Sequence, residues 1–81
     1  MNGFKQHLEL AQSFQNEMAD VDGVSVIVSV YVDRKGKFAS ITVMGPKSGN
    51  DEHFFHIIGD KITAEALTEI KNELVRLSYE I

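Results

Sequence analysis

The sequence predicts an α+β domain of order α-β-β-β-α: a three-stranded antiparallel meander with two helices packed on one face of the sheet. Three observations point to it. From Val24 to Val32 a valine occupies every even position, while Ser25, Ile27, Ser29 and Tyr31 fill the odd ones. Side chains of a strand alternate between faces, so this run is a strand with one apolar face and one half-polar face. Phe4, Leu8, Ala11, Phe14 and Met18 recur at three- and four-residue steps, as do Leu67, Ile70, Leu74, Leu77 and Ile81. That spacing marks an amphipathic helix at each end of the chain. Between them lie two more runs rich in β-branched and aromatic residues, Lys37–Met44 and His53–Ile58, bounded by turn residues.

The first helix is expected over Asn2–Met18, with Leu10 widening its apolar stripe and Gln6, Glu9, Gln12, Ser13, Asn16 and Glu17 on the outer face. Asp20 to Gly23 ends it, glycine being free to take a left-handed or turn conformation. The first strand, Val24–Val32, and the second, Lys37–Met44, flank Asp33-Arg34-Lys35-Gly36, a turn signal with Asp first and Gly last. An even-length loop puts Val26, Val28 and Val30 on one face with Ala39, Ile41 and Val43. An odd-length loop would mix Ser40 and Thr42 among the valines, because a one-residue slip reverses a strand's faces. Segregation of apolar from polar favours the even loop.

Gly45 to Glu52, with two glycines and the only proline, is the expected loop. The third strand, His53–Ile58, carries Phe54, Phe55, Ile57 and Ile58, so both of its faces are expected to be half buried or better. Gly59-Asp60 closes it. The last helix is expected over Ala64–Glu80, with Thr63 as N-cap and Ile62 and Leu67 at the hydrophobic-staple positions.

Eighty-one residues, of which 43% are hydrophobic and 25% charged, make one globular domain with a modest core. There is no cysteine, which excludes disulfides and thiolate zinc sites and fits a reducing compartment; a cytoplasmic location is expected. Lys5, His7, Glu9, Glu17 and Asp20 make the first twenty residues unlike a signal peptide. The uncharged run Gly23–Val32 is too short and serine-rich to span a bilayer, so no membrane partner is expected. The net charge of −4 lacks the basic field of a phosphate-backbone binder. Arg34, Lys35 and Lys37, at one turn, form the one local basic cluster and the one candidate nucleic-acid contact.

The α-β-β-β-α order resembles that of the double-stranded-RNA-binding domain. The likeness is confined to element order. Where that family begins its second helix with a basic Lys-Lys-x-Ala-Lys element, this chain has Lys61-Ile-Thr-Ala-Glu-Ala66. The family's Gly-Pro-x-His element lies between strands one and two, whereas Gly45-Pro46 lies between strands two and three with no adjacent histidine. No functional residue of that family carries over.

Candidate chemistry is sparse. His53 and His56 could serve a small metal- or ligand-dependent enzyme, but residues three apart on a strand face opposite ways and do not chelate one ion. No Gly-x-Ser-x-Gly elbow presents a nucleophile to a base. Gly45–Gly49 lacks the Gly-Lys-Ser/Thr order of a phosphate loop, and a strand follows it. Asp20–Gly23 shares the opening of a calcium loop without its later ligands. The chain is therefore read as non-enzymatic, without cofactor or metal. Glu65, Glu69, Glu73 and Glu80 line one face of the last helix, a solvated surface or an acidic contact face.

The strongest functional feature is the sheet face away from the helices. Ile27, Tyr31, Phe38 and Met44 fall there, joined by either Phe54 and Ile58 or Phe55 and Ile57. Aromatic residues and methionine on an open patch mark association surfaces. The first strand also has a free edge without lysine or proline to block pairing. The expected role is that of a small protein-interaction domain, a regulator or inhibitor of the kind found among bacterial and phage accessory proteins. Its expected partners are another protein and a second copy of itself, through the sheet face or edge.

Overall fold

The computed structural model describes residues 3–48 and 51–80; for residues 46–48, 51–53 and 77–80 it describes the backbone alone. Helix α1 (Phe4–Met18) leads into strands β1 (Ser25–Asp33), β2 (Gly36–Ser48) and β3 (Asp51–Ile58). A 3-10 turn (Gly59–Lys61) then joins helix α2 (Ala64–Glu80). The sheet is antiparallel in the order β1-β2-β3, the meander that the short connections imply.

The β1–β2 register is the even-loop one: Val26 lies opposite Val43, Val28 opposite Ile41, and Asp33 opposite Gly36. Arg34 and Lys35 are the two loop residues. No non-glycine residue among those described has a positive φ, so the backbone reversal falls on Gly36, at φ 128°. The Asp33 carboxylate accepts from the Lys35 amide at 2.7 Å and holds the turn from its first residue.

Both helices pack on the valine side. Ala11, Phe14 and Met18 of α1 and Leu67, Ile70 and Leu74 of α2 meet Ala39, Ile41 and Val43 of β2 in one buried cluster, which Ile62 completes. Val26, Val28, Phe55 and Ile57 pack against its margins. The Thr63 side chain caps α2, its hydroxyl accepting from the Ala66 amide at 3.1 Å, and the staple partners Ile62 and Leu67 are both buried.

Several boundaries differ from the sequence expectation. The first helix starts at Phe4, with Gly3 as N-cap at φ 68° and His7 half-buried beside it. Asn2, where the sequence would start that helix, lies outside the described residues, as does Ile81. The stretch Gly45–Glu52 is not one loop. β2 continues to Ser48, and Lys47 pairs with Glu52 and Ser48 with Asp51. The register shifts between Met44 and Lys47, the step that holds Pro46, whose missing N–H cannot serve a ladder. Gly49 and Asn50 at the apex lie outside the described residues.

The helical roof also stops short of one corner, although β1's even positions were expected to be covered. Val30 is 47% exposed and Val32 70%. The cause is the oblique path of α1. At its C-terminal end Gln15 reaches the edge carbonyl of Val26 on β1. At its N-terminal end Phe4 lies under Lys37 of β2, with the ammonium 6.0 Å from the ring centroid. The helix drifts from β1 towards β2 and leaves the end of β1 bare on that side.

Candidate interaction surfaces

The open face follows from the register. Odd positions of β1, even positions of β2 from Phe38 to Met44 and even positions of β3 from Phe54 to Ile58 point away from the helices. Phe55 and Ile57 pair with Val43 and Ile41 on the covered side, so Phe54, His56 and Ile58 fall on the open one. Read across the sheet, the face has successive rows: Ser25, Met44 and Phe54; Ile27, Thr42 and His56; Ser29, Ser40 and Ile58; then Tyr31 and Phe38.

Exposed apolar groups are spread through all four rows of this face. Phe54 is 61% exposed, Tyr31 50%, Ile27 49% and Ile58 42%. Phe38 and Met44 are half-buried among them. Polar groups lie among them. Thr42 Oγ1 lies 2.9 Å from His56 Nδ1, a hydrogen bond whose direction depends on the histidine tautomer. Ser40, in the middle, is buried. Ser40 therefore does not wet the centre of the face, while Ser29 beside it is half-buried and Ser25 is exposed. No Asp, Glu, Lys or Arg falls on it between Ser25 and Tyr31, Phe38 and Met44, or Phe54 and Ile58, in a chain that is 25% charged. Charge depletion around exposed aromatic groups is the composition of an interface centre.

The other sequence candidates are dispersed. Arg34 and Lys35 are exposed at the hairpin tip, and Lys37 is drawn onto the Phe4 ring on the helix side. Glu65 and Glu69 are exposed on α2, while Glu73 is held by Arg76, whose Nε donates at 3.2 Å. The side chains of Glu80, Leu77 and His53 lie outside the described residues. His56 faces outward with Thr42, and among the described residues no three His, Asp or Glu side chains gather as metal ligands. No helix among them is long and apolar enough to cross a membrane.

Among the described residues, grooves flank the helices. One of about 330 Å³ lies between α1 and α2, where Lys71 pairs with Glu17 across its rim. Another of about 550 Å³ lies between α2 and β3, lined by Phe55, Ile57, Ala66 and Ile70. Neither was legible in the sequence, because each depends on how far apart the helices settle on the sheet. The Gln15 contact with the β1 edge was missed for the same reason. Comparison with protein-family models, curated proteins and solved structures finds no match.

Proposed function

We propose that this chain is a non-catalytic protein-interaction domain, a regulator or inhibitor that docks another protein on the open face of its sheet. One observation carries the reading: Ile27, Tyr31, Phe54 and Ile58 are exposed on a face whose stretches Ser25–Tyr31, Phe38–Met44 and Phe54–Ile58 hold no Asp, Glu, Lys or Arg. A partner suited to it presents apolar groups to these four side chains, with a hydrogen-bonding group for the Thr42–His56 pair among them. The absence of cysteine supports a cytoplasmic setting.

The test is an affinity capture of partners by the full chain, repeated with Tyr31→Ser and with Phe54→Ser. Both positions are half exposed or more, so both variants should keep the fold, as a circular-dichroism melt would verify. The reading predicts one protein retained by the parent chain and by Glu65→Gln, and lost with both face variants. Partners that all survive both face changes would remove it.

A further inference from the structure

We infer that the free edge of β1 pairs with β1 of a second copy, antiparallel and centred on Val30, joining two sheets into one of six strands. This does not depend on what docks on the open face.

Backbone parity is the starting point. In an antiparallel hairpin with a two-residue loop, the closing pair exchanges ladder hydrogen bonds, and bonded pairs recur at every second residue. Counting back from Asp33, opposite Gly36, the bonded positions of β1 are the odd ones. The amides and carbonyls of Val26, Val28, Val30 and Val32 therefore point to the open edge. Gln15 donating to the Val26 carbonyl agrees with this parity and occupies one end of the edge. Val28, Val30 and Val32 remain. They are β-branched residues with no lysine or proline to guard them, the kind of edge that templates strand addition.

That occupancy selects the register. Centring the two-fold on Val30 sets Val30 against its counterpart, Val28 against Val32 of the second copy, and Val32 against Val28. All three free positions are used, giving about six ladder hydrogen bonds, and the Gln15 cap is undisturbed. Two side-chain observations fit the same centre. Val30 and Val32 are the exposed valines on the helix side, at the corner from which α1 drifts away. In the antiparallel pair, the second copy brings the end of its own α1 that lies nearest the edge to that corner. The ends of β1 also carry opposite charge. Asp20 and Asp22 are exposed before it; at its other end Arg34 and Lys35 are exposed beside Asp33, leaving that end with a net positive charge. Antiparallel pairing brings the acidic end of each copy to the basic end of the other, twice, whereas parallel pairing would align like with like.

Sedimentation equilibrium of the full chain across the micromolar range should give a dimer. Val30→Lys places two ammonium groups at the two-fold and should raise the dissociation constant roughly tenfold or more. Asp20→Lys with Asp22→Lys should weaken the dimer, and adding Arg34→Glu with Lys35→Glu should restore it. The chain has no cysteine, so Val30→Cys supplies a single thiol. Paired Cα atoms about 5.5 Å apart fall within disulfide range, so this variant should cross-link under mild oxidation and Val26→Cys should not. Phe54→Ser should leave the dimer intact while abolishing partner capture, which separates failure of this inference from failure of the face reading. A monomer throughout the range, a dimer indifferent to Val30→Lys, or one lost on Phe54→Ser would overturn the edge pairing.

Discussion

The side-chain amide of Gln15 donates to the backbone carbonyl of Val26 at 3.1 Å, tying the last turns of α1 to the outer edge of β1. The other end of α1 meets β2 instead, where the Lys37 ammonium lies 6.0 Å from the Phe4 ring centroid, so the two ends of the helix lie by different strands. Gln15→Ala should cost about 0.5–1.5 kcal/mol, the net worth of a typical hydrogen bond. The lower end is expected, since an edge carbonyl can turn to water. Urea unfolding of the variant, with an unchanged m-value, is the measurement.

The cap of α2 gives a second prediction. Thr63 accepts from the Ala66 amide at 3.1 Å and satisfies one of the helix's unpaired first-turn donors. Thr63→Ala should lower stability by about 1 kcal/mol, while Thr63→Ser should retain most of it. A chemical-denaturation midpoint for each variant decides the point. Equal loss in both would mean that the threonine methyl, not its hydroxyl, matters.

These two contacts differ in how readily the sequence shows them. Thr63 is legible because Ile62 and Leu67 bracket it at staple spacing, a local pattern. The β1–β2 register is legible because one choice alone separates valines from serines and threonines. The face of β3 is not, since Phe54, Phe55, Ile57 and Ile58 make both of its sides apolar; its pairing with β2 decides that His56 and Phe54 face outward. Exposure of Val30 and Val32 is not legible either. Parity puts them on the covered side, and the angle at which α1 crosses the sheet uncovers them. Pro46 misleads in the other direction. It reads as a loop residue, yet the strand absorbs it at a register shift and continues to Ser48.

The hairpin tip supplies a third prediction. Gly36 sits at φ 128°, a region that side chains rarely enter, while Arg34 and Lys35 keep negative φ. Gly36→Ala should therefore cost about 1–3 kcal/mol through backbone strain alone. Arg34→Ala and Lys35→Ala, exposed and without strain, should each stay within about 0.5 kcal/mol. Thermal melts of the three variants at equal ionic strength would show the contrast, and a neutral Gly36→Ala would mean the turn can adopt another geometry.

Ile27 and Ile41 provide the sharpest contrast, because they are the same residue on opposite faces of adjacent strands. Ile41 lies opposite Val28 within the buried cluster, fully enclosed by α1 and α2 side chains. Ile27 lies opposite Thr42 on the open face, half exposed. Truncating Ile41 removes buried methyls and leaves a cavity, so Ile41→Ala should destabilise by about 2–5 kcal/mol, a large share of a domain's total stability. Truncating Ile27 removes atoms that water already reaches, so Ile27→Ala should cost under about 1 kcal/mol. If association rather than folding maintains the open face, the ranking should invert for binding: Ile27→Ala should weaken partner capture, alongside Tyr31→Ser and Phe54→Ser, at nearly unchanged stability. Paired denaturation and capture measurements on the two alanine variants separate these roles, and an Ile27→Ala that unfolds like Ile41→Ala would show the outward face to be structural.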